Sequence, residues 1–375
     1  MTESFDVVVI GGGVIGMTGA WRLAQTGRRV LLLERDRTGA EASSAAAGML
    51  GAQLEVSEPG PFYQLCLESR SLYQAFVDEL LEYTGVDAQL NHNGIYQIAF
   101  TQDEVHALHR RMEWQIRGGA RAEFLSSTEV TNEEPIVAEN YGALHLPDDS
   151  NINAPLLTRA LSIAVTQTCT VVEGVEVTAV QRQSAAGYVI STQSQTYVAG
   201  AVVVAAGAWA QRLLPSSFPG KIQPVKGQLL AIRPRQATLK HTIFNDHAYL
   251  VPKRDGTIVV GATEDRGAGY NRDVTVDAIQ YLLASVKRIA PRLCDAVFER
   301  SWIGLRPGSS DPHPWIGQLA ASPGLHVAVG HFRNGILLAP VTANMLVDSV
   351  EGRPWPTHWQ AFQPERPSVE SGVTR

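Results

Sequence analysis

Residues Asp6 to Glu34 constrain this chain more than any other stretch. Four consecutive apolar residues, Val7 to Ile10, read as a buried strand and run straight into Gly11-Gly12-Gly13-Val14-Ile15-Gly16. A helix to about Gln25 and a second strand, Val30 to Glu34, follow. Gly11, Gly13 and Gly16 meet the G-x-G-x-x-G spacing, each for its own reason. The first permits a tight turn, the second lets backbone approach a pyrophosphate, and the third lets the helix pack closely on the strand. The N–H groups that open the helix then face the phosphates, aided by the helix dipole. Glu34 lies 18 residues beyond Gly16, at a strand end where a carboxylate can accept both ribose hydroxyls, which argues against a 2′-phosphate. A glycine-rich turn alone is a common structural corner; strand, turn, helix and terminal acid in one unit point to dinucleotide binding.

The 375 residues leave room for a second domain, at ~100–200 residues per domain. With 45% apolar and 18% charged residues, the composition suits a globular protein with a sizeable core. A net charge of −6 without a basic cluster gives no electrostatic case for nucleic acid. Cys66, Cys169 and Cys294 are widely spaced and lack C-x-x-C pairing; we expect reduced, buried thiols and neither a disulfide frame nor a metal site. The chain enters its first strand almost at once, with acids where a signal peptide has basic residues. No apolar run approaches the ~20 residues of a membrane helix. The expectation is a cytoplasmic protein without a membrane partner.

Small residues dominate the stretch after Glu34, from Thr38 to Leu50, which suits backbone passing close to a large flat ligand. Helical periodicity marks Pro61 to Tyr83, Gln102 to Arg117, Ala154 to Thr166 (with Asn153 as cap) and the segment after Thr275. Short strands are expected at Val171 to Glu173, Val175 to Gln181, Tyr188 to Thr192 and Tyr197 to Ala199. A separate apolar strand, Val202 onward, ends in Ala205-Ala206-Gly207-Ala208-Trp209, as a central parallel strand touching a ligand would. Pro224 to Leu230, and Ala248 to Pro252 with Thr257 to Ala262 around the turn Asp255-Gly256, indicate a second, antiparallel sheet. The last strand, Leu325 to Val329, runs into Gly330-His331-Phe332-Arg333-Asn334-Gly335-Ile336 and a closing helix. Strand, turn and helix N-terminus make a second anion-friendly site there; a plain structural helix is the alternative.

Five motifs in order, the N-terminal fingerprint, Ala45 to Leu50, Pro224 to Gln228, Gly304 to Gly308 and Gly330 to Gly335, resemble the D-amino-acid-oxidase-type flavoproteins. Within them, the glycine oxidases of thiamine biosynthesis are the most similar, over roughly residues 5 to 350. The resemblance implies an α/β fold: a Rossmann-like FAD-binding domain with a parallel sheet and helices, and a substrate domain on a mixed, largely antiparallel sheet. We expect the first from residues 1–89, 145–222 and 298–363, the second from 90–144 and 223–297, and a frayed tail at 364–375. It also implies FAD held without a covalent link, since none of the cysteines lies in a flavin-tethering motif. The implied FAD contacts are Gly11, Gly13, Val14, Ile15 and Gly16; Glu34 and Arg35; Ala42 and Ser43; and Ala47, Gly48 and Met49. They continue at Val175, Gly207, and His331, Phe332, Arg333, Asn334, Gly335, Ile336 and Leu337.

Arg306 and Arg333 each sit in a segment that reads as irregular and glycine-flanked. An arginine there is expensive to bury unless it meets an anion. The family pattern puts the substrate carboxylate on Arg306; pairing with a protein acid is the alternative. By the same pattern Arg333 lies near the substrate or holds the flavin loop, Tyr249 orients the substrate or is a core tyrosine, and Met49 touches both ligands. Glu264 contacts an amino group or only a surface arginine. No strong protein base is legible; His247 and His331 read as structural. The implied reaction takes a small amino acid and oxygen to an α-keto acid, ammonia and hydrogen peroxide, in a homotetramer. A dehydrogenase of the same fold and an inactive flavin-binding subunit are the competing readings.

Overall fold

A computed structural model describes residues 3–184, 187–236 and 238–366. The first sheet has eight strands, and its path runs Trp315–Gln318, Leu325–Val329, Thr196–Val204, Glu3–Ile10, Val30–Leu33, Thr170–Val172. Glu3–Ile10 sits in the middle, parallel to Val30–Leu33 on one side and Thr196–Val204 on the other. Its apolar run is continuous because both faces are covered. Val7 and Val9 pack into one core cluster while Val8 and Ile10 pack into another; Val30 and Leu32 divide from Leu31 and Leu33 in the same way. Tyr197 to Ala199 and Val202 onward are one strand, Thr196–Val204, and not two.

Helices Val14–Gln25, Pro61–Thr84, Ala154–Thr168 and Gly335–Glu351 cover one face. Asn153 caps the third as expected, its Oδ1 accepting from the Leu156 N–H at 3.2 Å. Helix Gly335–Glu351 contains Pro340 and is nearly all apolar, since it is buried against Val14–Gln25 and Pro61–Thr84.

The second sheet, also of eight strands, runs Val297–Ser309, Ile222–Arg233, Ile258–Gly261, Ala248–Pro252, Thr242–Asn245, Ile95–Ala99, Gly142–Leu146, Glu123–Leu125. Every pairing is antiparallel except Thr242–Asn245 with Ile95–Ala99. The mixed, largely antiparallel sheet is therefore present. Residues 298–309, assigned from sequence to the parallel-sheet unit, instead form its edge strand, paired along Ile222–Arg233.

Two further differences concern burial. Cys66 is buried, Cys169 half-buried and Cys294 exposed, all as free thiols. The expected frayed tail lies outside the described residues except for Pro364 to Arg366, and these are held: Arg366 pairs with buried Asp311 at 3.3 Å and covers the Trp315 ring. Among the described residues no helix is long and apolar enough to cross a membrane.

Leu346 is fully buried beside Gly19, so close that a Cβ at Gly19 would lie 2.9 Å from Leu346 Cδ1. Leu346→Ala opens a cavity between two helices that cannot close it, and should lower stability by about 3 kcal/mol, read as a lower urea midpoint with an unchanged slope.

Candidate active site

The carboxyl ends of the parallel strands open into one cleft that extends to the inner face of the second sheet. Ile10-Gly11, Leu33-Glu34, Ala205 to Gly207 and Val329-Gly330 all border it, as expected where adjoining parallel strands leave a crevice. Gly11 has φ +110°, and a Cβ on it would lie 2.5 Å from Ala205 O; only glycine allows this turn. Gly13, Val14 and Ile15 line the cleft, whereas Gly16 is packed against Gly11 and holds helix to strand. Glu34 accepts from the N–H of Gly12 at 2.6 Å and of Asp36 at 2.8 Å, and each oxygen keeps a further acceptor direction. Arg35 lies 4.1 Å from the Trp209 ring centre and pairs with Glu41, and Val175 donates its N–H to Glu34 O at 2.9 Å.

The small-residue run becomes a short helical turn, Ala42–Ala45, and an extended pass through Met49–Leu50. Ala42, Ser43, Ala47, Gly48 and Met49 border the cleft. Lys253 pins this pass: its Nζ donates to Ala47 O at 2.6 Å and Ile152 O at 2.9 Å. Burial pulls that ammonium down to about 7, with Asp255 acting in the opposite direction. Nothing in the sequence marked Lys253, because its partners are backbone carbonyls far away in the chain.

At the other end stand Tyr249, Glu264, Arg306 and the turn His331 to Ile336. Arg306 is inside the edge strand Val297–Ser309, opposite Val225, and not in an irregular segment. Its guanidinium lies over Gly227, where any side chain would collide with it, and donates to Thr263 O at 3.1 Å. The Tyr249 ring likewise lies over bare Gly261. Burial pushes the Tyr249 phenol up and Arg306, which hydrogen-bonds it, pulls it down; the net shift is upward, so the hydroxyl stays protonated. Among the described residues no carboxylate pairs with Arg306.

Arg333 pairs with Glu55 at 3.0 Å, and Glu264 pairs with Arg266 at 2.8 Å. Glu55 went unnoticed in the sequence, where Gly51 to Glu58 has no periodicity. Buried Asp149 builds its turn, accepting the N–H groups of Gln53 and Leu54 and pairing with Arg70 at 2.7 Å. Burial pushes that carboxyl up to about 6 against the pull of Arg70. His331 is buried, bonded to Thr342 Oγ1 at 3.0 Å, and burial pulls it down to about 3. His247 is exposed at the rim. Leu337 faces the helical core and not the cleft.

Such a cleft, with two helix N-termini turned into it and an arginine that meets no carboxylate among the described residues, belongs to a dinucleotide-dependent enzyme. Residues 6–349 match the family described as "DAO: FAD dependent oxidoreductase", and the chain belongs to that family. It is 37% identical to the glycine oxidase of Geobacillus kaustophilus over 94% of each chain. It is 34% identical to the bifunctional protein ThiO/ThiG of Synechocystis, over 98% of this chain and 54% of that one. The crystal structure of the Geobacillus kaustophilus glycine oxidase superposes with a TM-score of 0.95 at 36% identity, covering 98% of this chain and 100% of the other.

The residues present fit FAD. Helices Val14–Gln25 and Gly335–Glu351 both begin at the cleft, and neither carries a cap from its own N-cap side chain; the Val14 N–H donates to Ser43 Oγ at 2.9 Å, and other first-turn amides are left for phosphate and for the ring's carbonyl edge. None of the three cysteines borders the cleft.

Two predictions follow from the buried groups. Lys253→Met removes the donor from Ala47 O and Ile152 O, and FAD should bind about tenfold or more weakly, measured by quenching of FAD fluorescence. His331 at about 3 and His326 at about 4 are both depressed below the ~6.5 of an unfolded chain. Keeping them neutral therefore stabilises the fold fully above about pH 6.5, and that contribution is lost as pH falls through and below this value. Between pH 6 and pH 5 each costs roughly 1 kcal/mol; His331→Asn should show a smaller drop in denaturant midpoint over that interval than the parent.

Proposed function

We propose that this protein oxidises glycine, with sarcosine and small D-amino acids as further substrates, to glyoxylate or the matching α-keto acid, hydrogen peroxide and ammonia (methylamine in the case of sarcosine). The observation that carries this reading is Arg306: a guanidinium facing the cleft, hydrogen-bonded to a protonated tyrosine, and paired with no carboxylate among the described residues. Its fork holds the substrate carboxylate by two parallel bonds. Arg306 donates to the Tyr249 oxygen, so the Tyr249 proton is left to donate to the same carboxylate. The amino acid is thereby clamped at one end, with Cα turned to the loop of Ala47 to Met49.

FAD, when bound, supplies the two-electron acceptor for the Cα–H. The protein's share is placement and electrostatics. The first-turn amides at Gly335 and Ile336 lend positive potential where negative charge gathers. His331 is buried, neutral and occupied by Thr342, and so does not serve as a general base. Met49 and the turn His331 to Ile336 line the same cleft.

The similarity to glycine oxidases supports the substrate, and the relative in which a similar chain is joined to a ThiG portion supports a supply of glyoxylate imine to thiamine synthesis. We further propose a cytoplasmic homotetramer with non-covalent FAD and oxygen as the acceptor. The parallel-sheet unit is assigned to FAD and the second sheet to the substrate.

Purified protein should show flavin absorbance that bleaches when glycine is added under argon and returns with air and peroxide. Bleaching that air does not reverse would point to a different acceptor; a spectrum indifferent to glycine would discard the substrate. Arg306→Ala should keep the flavin spectrum and raise the KM for glycine about a hundredfold, as expected for losing ~3 kcal/mol of a charge-assisted clamp; an unchanged KM removes the assignment.

A further inference from the structure

From sequence Arg333 is expected either near the substrate or holding the flavin loop; in the structure its charge is already met. Glu55 Oε2 lies 3.0 Å from Arg333 Nη2, and the Glu55 side chain is only 10% exposed within a cleft that it borders. It is also held in place. Its N–H donates to Gly51 O at 2.9 Å, and the two residues before it give their N–H groups to fully buried Asp149. Such a carboxylate is positioned in advance, before any ligand arrives. Glu264 is matched in the same way by Arg266, and Asp246 is exposed at the rim. Arg111, near Glu55, points elsewhere, onto Gln97 Oε1 and Val56 O. That leaves Arg306 as the guanidinium without a carboxylate at this end of the cleft, among the described residues.

We propose that Glu55 determines specificity: by pairing with Arg333 it leaves a single uncompensated cation beside Tyr249, so the site accepts one carboxylate and rejects a second. This rests on the reading that the substrate carboxylate docks on Arg306. A dicarboxylic amino acid would bring its second anion against the Glu55 oxygens in a partly desolvated cleft, where like charges repel strongly. A neutral residue at 55 would instead free Arg333 to receive that anion. Glu55 acts through Arg333 and on the far end of the ligand, and is a specificity residue and not a catalytic one.

The test uses FAD-loaded, full-length protein titrated with acetate and with malonate, followed by flavin absorbance. The parent should bind malonate about tenfold or more weakly than acetate. In Glu55→Gln the malonate-to-acetate preference should shift towards malonate by about tenfold or more, and D-aspartate should gain in kcat/KM relative to glycine. In Arg333→Gln, Glu55 becomes an unpaired anion in the cleft, and acetate should bind about tenfold more weakly although Arg306 is intact. A Glu55→Gln protein that still binds acetate with the parent's preference overturns the proposal, and so does an Arg333→Gln protein with the parent's acetate affinity. If Glu55→Gln does not fold, Arg333→Gln decides alone. A parent protein whose flavin responds to neither acetate nor glycine overturns the carboxylate reading itself, and the proposal with it.

Discussion

The rest of this structure depends on one close approach, where the first strand turns at Gly11 against Ala205 at the end of the neighbouring strand. Two parallel strands stop side by side and the chain reverses into a helix within three residues. Gly11 has no side chain to obstruct Ala205, and Gly16 has none to obstruct Gly11. The helix therefore starts directly above the strand ends, with its first turn at the cleft. Every other wall is built outward from that point: the Glu34 strand end on one side, and on the other the Val329 strand that feeds the second helix N-terminus.

The second sheet supplies charged and phenolic side chains, Arg306 and Tyr249, to the cleft. Here again glycine creates the space. Arg306 and Tyr249 each lie flat on a neighbouring strand because Gly227 and Gly261 leave room. The arginine is held by a backbone carbonyl and the tyrosine, which orient it without neutralising it. Arg333 and Arg266 are treated oppositely, each matched by an acid. One fork is left to bind while its neighbours are cancelled, and the potential in the cleft follows from that division more than from the number of arginines.

Much of this was legible from the chain. The Rossmann-type turn carries its own punctuation, glycines at fixed offsets between apolar runs, and so did Asp255-Gly256 in the hairpin and Asn153 at its helix. Arg306, Tyr249 and the loop Ala47 to Met49 were singled out, and all border the cleft. What was misread shares a cause. The edge strand Val297–Ser309 was divided from its sheet because it is interrupted by glycine and proline and only its partner shows it to be continuous. Cys294 was taken as buried from residue type alone, and type does not fix exposure.

By itself the sequence determined the local geometry: where strands end, which helices begin at glycine, and that an acid closes the second strand. Those features come from φ preferences and periodicity, which act over a few residues. The tertiary structure alone decided the pairings of charge. Glu55 meets Arg333 across 278 positions, and Lys253 reaches Ala47 across 206. Such contacts leave no local pattern because their energy depends on burial and distance, and both are properties of the folded chain.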